Sequence, residues 1–151
     1  MMTGVSLDML KVSVIIIVMT RRLTDITDDA KRMIMEFIND LKTGIFTSPA
    51  EQLELTFVEA YYASVDSESA IQHLISNVLP YKDQIKKRNL HFFIDKKDVI
   101  FKGLPQARID HFANMVTKPE ELGGIDGETK RVVWDYFDTF LWLAEEYKKK
   151  C

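Results

Sequence analysis

Cysteine is nearly missing from this chain: the one copy in 151 residues is Cys151, the last of them. That scarcity excludes an intrachain disulfide framework and a cysteine-based zinc site, and a reducing compartment is expected. A prenylation signal takes three residues after its cysteine, so none is expected here. Histidine is scarce as well. His73, His91 and His111 lack the HxxxH or HExxH spacing that sets two ligands on one helical face, so neither a metal site nor a cofactor is expected. His111 follows Asp110, but neighbours on a helix point roughly 100° apart, which rules out a base beside its orienting acid. Long hydrophobic runs are lacking too. The most apolar stretch, VSVIIIVM from Val12 to Met19, falls far short of the ~20 residues that span a bilayer. Asp8 precedes it and Arg21-Arg22 follow where a signal peptide carries small cleavage-site residues. A soluble chain with no transmembrane segment is expected. The glycines at 123, 124 and 127 have neither a preceding strand nor the lysine-serine ending of a phosphate-binding loop. With no catalytic constellation, no enzyme is expected.

What the chain does have is an ordinary globular composition, 46% hydrophobic and 28% charged, with no repeat, low-complexity tract or linker. The length fits one helical domain over residues 1–151, with an apolar amino-terminal arm (1–24) and a helical core (25–150). The β-branched density of Val12 to Val18 favours a buried strand for the arm, though periodicity does not separate it from a buried helix. Thr27 is placed to cap a helix from Asp28 to Thr43. Its Ala30, Met33, Ile34, Phe37, Ile38 and Leu41 form one continuous stripe, and Gly44 ends it. Ser48-Pro49-Ala50-Glu51 is a capping box with proline at the first helical position, opening a helix to about Ala63. Asp66 or Ser67 caps a third, which Pro80 kinks or stops before Tyr81 to Arg88 continues. Leu90 to Pro105 reads as a loop with an aromatic plug, or as a hairpin turning at Asp95 to Asp98. Pro105 then starts a helix to about Val116, and Lys118-Pro119 with Gly123-Gly124 make a connection to the last helix. The fold class expected is therefore mainly α, a compact bundle of about five to six helices with a short apolar amino-terminal arm or strand.

The closing helix, within DGETKRVVWDYFDTFLWLAEEYKKK, carries a broad apolar face around Val133, Phe137, Phe140, Ala144 and Tyr147. Trp142 falls roughly 180° away, among Asp135, Asp138, Glu145 and Glu146. It either lies flat over a neighbouring loop or the arm, or anchors a protein interface. Charge is unevenly spread. Residues 82–108 hold eight basic against three acidic residues, a net of +5, while the rest of the chain carries −8. Lys86, Lys87 and Arg88 sit in that basic segment with Phe92, Phe93 and Phe101 interleaved, a mixture that suits an acidic protein neighbour or a single-stranded nucleic acid.

The order of three segments is similar to a known group. An F-x-x-D-L helix (Phe37-Ile38-Asn39-Asp40-Leu41) comes first, followed by a central element ending in Phe92-Phe93. A late T-K-x-x-x-W-x-Y segment (Thr129-Lys130 through Trp134-Asp135-Tyr136) closes the series. Over about Ala30 to Tyr147 the chain resembles small helical proteins encoded by nucleocytoplasmic large DNA viruses. The apolar arm and the Pro119 to Gly127 connection depart from that pattern, and no catalytic residue is carried over. The resemblance implies a viral protein made in the host cytoplasm or nucleus. Together with the residues it leads to the expectation of a minor capsid, cementing component of the virion. Its partners would be the major capsid protein and other minor capsid proteins, bound through Val14, Ile16 and Val18 of the arm, Trp142 as anchor, and Lys86, Lys87 and Arg88 as electrostatic contacts. A nucleic-acid-associated factor using residues 82–108 is the alternative.

Overall fold

The structure, a computed structural model, describes the backbone of residues 7–150 and the side chains of residues 25–150. The chain is mainly helical, with no strand among the described residues. The long helices are α1 (Leu7–Gly44), α2 (Pro49–Ser64), α3 (Ser67–Asn77), α7 (Gln106–Thr117) and α8 (Gly127–Lys150). Between α3 and α7 lie a 3₁₀ turn at Leu79–Tyr81 and the short helices α4 (Lys82–Lys86), α5 (Leu90–Asp95) and α6 (Lys97–Ile100). A second 3₁₀ turn, Glu120–Leu122, precedes α8.

Two expectations change at α1. The β-branched run Val12 to Val18 has a helical backbone, not an extended one, and Thr27 is a buried mid-helix residue, not a cap. The physical reason is continuity. A β-branched residue costs a few tenths of a kcal/mol in a helix, whereas a strand here would have to end and a new helix nucleate within a few residues, which is unfavourable. The side chains of Val14, Ile16 and Val18 lie outside the described residues.

The later boundaries follow local chemistry. The Ser48 hydroxyl accepts from the Glu51 N–H at 3.3 Å and donates to the Glu51 carboxylate at 2.7 Å, closing the capping box. Asp66, not Ser67, caps α3 by accepting from Ser69 N at 2.7 Å. Leu90 to Pro105 is neither loop nor hairpin but two helical turns. Asn89 caps the first by accepting from Phe92 N at 3.1 Å, and Phe93, Ile100 and Phe101 are buried in the core. Burial of those rings decides the conformation of a segment whose local preferences are divided. In the connection before α8, Gly124 N donates to Pro119 O at 3.0 Å, and a Cβ on Gly124 would lie 2.0 Å from Lys118 O, so only glycine fits.

One hydrophobic cluster joins these elements. The stripe read on α1 is its inner face: Ala30, Ile34, Phe37, Ile38 and Leu41 are buried. α8 packs along α1 and α3, with Val133, Phe137, Phe140, Leu141, Leu143 and Ala144 buried. Phe137 is the hub of an aromatic cluster, its ring 5.1 Å from Phe93, 5.4 Å from Phe140, 5.7 Å from Phe101 and 5.9 Å from Phe37 in edge-on arrangements. Tyr147 donates to Glu68 at 2.5 Å, and Tyr136 donates to Asp40, fastening α8 to α3 and α1.

Candidate partner-binding interface

The α4–α8 face is built around a left-handed arginine. Proline 80 ends the α3 direction, and the 3₁₀ turn it starts delivers α4 alongside α8. α4 is then stopped by a Schellman arrangement: Asn89 N donates to Gln84 O and Arg88 N to Ile85 O, both at 3.0 Å. The residue in the left-handed position is Arg88, at φ +55, where glycine is the usual choice. Its guanidinium grips Asp138 with two hydrogen bonds, 2.9 and 2.6 Å, and lies 5.3 Å from the Trp134 ring centroid. The Arg88 hydrogen bonds hold the Asp138 carboxyl below the usual carboxylate range, against a smaller opposing effect of burial, and Lys86 adds to the depression. Two turns along α8, Lys82 donates to Glu145 at 2.7 Å.

Trp142 stands between these two ion pairs, four residues after Asp138 and three before Glu145, and is 52% exposed. The sequence singled out Trp142 and the Lys86-Lys87-Arg88 run separately. The fold brings Trp142, Lys86 and Arg88 to one face. Lys86 and Lys87 are exposed, whereas Arg88 is committed to Asp138 and acts as a brace for the face.

No family model, no curated protein and no solved structure matches this chain.

Other chemistry-bearing residues are spent within the fold. Arg108 pairs with Glu51 and, at 3.1 Å, with Glu54, and its guanidinium lies 5.3 Å from the Phe46 ring centroid. His111 meets the same Glu51 carboxylate at 2.8 Å, not Asp110. Partial burial pushes the Glu51 carboxyl up, but hydrogen bonds from Ser48 and His111 together with the Arg108 charge outweigh it, and the net shift is downward. His73 shares a 3.0 Å hydrogen bond with Asn77, and burial pushes its pKa down despite a bond to the Ile100 backbone. It borders an apolar cavity of about 40 Å³ beside Phe37, Leu74 and Phe137, where Tyr62 donates to Lys102 O at 3.4 Å. Within the basic segment, Phe93 and Phe101 are core residues and not surfaces for base stacking, and Lys82, Arg88, Lys97 and Arg108 all have acidic partners. Among the described residues no group of His, Cys, Asp and Glu is placed to hold a metal ion, and no helix is long and apolar enough to cross a membrane.

One surface escaped the sequence reading altogether. Leu53, Phe57 and Tyr61 of α2 are large, apolar and exposed. Their i, i+4, i+8 spacing was the available signal, but Leu55, Val58 and Tyr62 form a second stripe on another side of the same helix, so no single stripe stands out.

Proposed function

We propose that this chain works through protein–protein contacts, as a cementing component of a larger assembly, and that a partner docks on the α4–α8 face. The observation that carries this reading is Trp142, half-exposed and framed by the Arg88–Asp138 and Lys82–Glu145 pairs. An aromatic anchor inside a rim of satisfied polar groups is the arrangement that concentrates binding energy at interfaces. The neighbouring Lys86 and Lys87 favour a partner whose contacting surface is acidic. The resemblance to proteins of nucleocytoplasmic large DNA viruses supports the virus particle as that assembly, and the proposal extends to the major and minor capsid proteins as partners and the virion as the location.

The test is incorporation. Purified particles washed in high salt are analysed by mass spectrometry for the ratio of this chain to the major capsid protein. A fixed, salt-resistant ratio is expected, and Trp142→Ala in the full chain should reduce it at least tenfold while circular dichroism stays unchanged. Absence of the wild-type chain from washed particles overturns the capsid role. Undiminished incorporation of Trp142→Ala overturns the assignment of the face.

A further inference from the structure

The outer face of α2 is independent of the α4–α8 contact and has its own occupant to account for. With Phe57 at zero and 100° per residue, Ala50, Leu53, Ala60, Tyr61 and Ser64 fall within about 60° of it, and the one charged residue in that range is Glu54, at its edge. Leu53, Phe57 and Tyr61 are 59%, 70% and 61% exposed, while Leu55 and Val58 are buried in the core. A helix apolar on both sides is one that is covered on both sides. From Ala50 to Ser64 the stripe runs roughly 21 Å.

The same chain carries a second apolar-rich helical segment. α1 opens at Leu7, and from Leu10 to Leu23 its apolar-rich sequence spans roughly 20 Å of helix. α2 lies antiparallel beside the later half of α1. Lys31 donates to Ala63 O near the end of α2, and Lys42 meets Thr56 and Glu59. The opening of α1 therefore continues away from that contact, and a continuous helix does not fold back onto its own α2. Signs at the edges are complementary. Within that segment the run Val12 to Met19 is flanked by Lys11, Arg21 and Arg22, whereas α2 has three glutamates and no basic residue. Glu54, the glutamate at the edge of the stripe, shares the Arg108 guanidinium with Glu51, which leaves that edge net negative.

We infer that the apolar opening of α1 in one copy docks along the Leu53–Phe57–Tyr61 face of α2 in a second copy. The two surfaces differ, so the contact is either exchanged reciprocally in a twofold dimer or repeated head-to-tail in a ring or an open chain. Such self-association suits a component that links neighbours, but it stands on its own.

The experiment uses the purified full chain without any partner, so its outcome is separate from that of the α4–α8 face. A photo-reactive phenylalanine analogue is placed at position 57 in isotopically labelled chains, which are mixed with unlabelled ones and irradiated. Labelled-to-unlabelled cross-links ending within residues 7–24 are expected. In parallel, Phe57→Asp should raise the dissociation constant for self-association at least tenfold by sedimentation with the helical signal unchanged, because Phe57 is a surface residue. Cross-links ending on residues 50–64 of the second copy would show that the stripe meets itself and overturn the proposal. So would the absence of inter-chain cross-links, or an unaltered dissociation constant for Phe57→Asp.

Discussion

Arg88 occupies a backbone position that costs a side-chain-bearing residue about 1–2 kcal/mol, and its contacts with Asp138 and Trp134 offset that cost. The two contributions separate by mutation. Arg88→Gly loses the contacts but relieves the backbone, whereas Arg88→Ala loses the contacts and keeps the strain. Urea unfolding should therefore find Arg88→Ala less stable than Arg88→Gly by about 1 kcal/mol; equal stabilities would mean that the left-handed turn is not held. Asp138 supplies a pH test. Its folded-state pKa is depressed by Arg88, so the associated stability is present above the ordinary carboxylate range and is lost as pH falls through the folded value. The contribution of the Arg88–Asp138 pair should hold from neutral pH to about pH 4 and decline below it, and Asp138→Asn should remove that part of the acid limb. The pair is more than a third exposed, so its contribution is under about 1 kcal/mol. An acid limb of unchanged slope in Asp138→Asn would remove Asp138 from the account. None of this was legible in the sequence, since helix-ending rules look for glycine and the partner of Arg88 lies 50 residues away.

At the scale of the element, α2 shows what sequence reading reaches and where it stops. Its start was legible because a capping box is local: Ser48, Pro49 and Glu51 sit within four residues and satisfy one another. Ser48→Ala should cost about 1 kcal/mol in thermal or urea unfolding, and no measurable loss would mean that the hydroxyl is replaced by water. Phe57→Asp, by contrast, should fall within about 0.5 kcal/mol of wild type, since the ring is 70% exposed. The outer face itself was illegible because apolar residues on several sides cancel in any amphipathic pattern, and only the packing of Leu55 and Val58 shows which side is left over. α5 and α6 were missed for the opposite reason. Each of α5 and α6 is too short to set up a period, and the burial of Phe93, Ile100 and Phe101 against distant α8 determines the shape of Leu90 to Pro105. In the run Val12 to Val18, continuity with the helix that follows outweighs the β-branched preference for a strand.

For the whole molecule, two aromatic residues of α8 five positions apart carry opposite expectations, and the contrast tests the division between core and interface. Phe137 is buried and touches rings from α1, α5 and the segment after α6, so Phe137→Ala should cost about 3–5 kcal/mol and act on all of these elements together. For a chain whose total stability is of the order of 5–15 kcal/mol, that is enough to broaden or abolish a single cooperative transition. Trp142 lies outside this cluster, framed by ion pairs that persist without it, so Trp142→Ala should change unfolding by less than about 1 kcal/mol. The loss should appear instead in partner binding. Parallel denaturant titrations of the two variants decide the matter. If Trp142→Ala destabilises the fold on the scale of Phe137→Ala, the indole is a packing residue that covers part of the chain itself, and the α4–α8 face loses its anchor. If the two separate as expected, the conserved stability of Trp142→Ala makes any binding defect attributable to the surface, which is the condition the incorporation experiment requires.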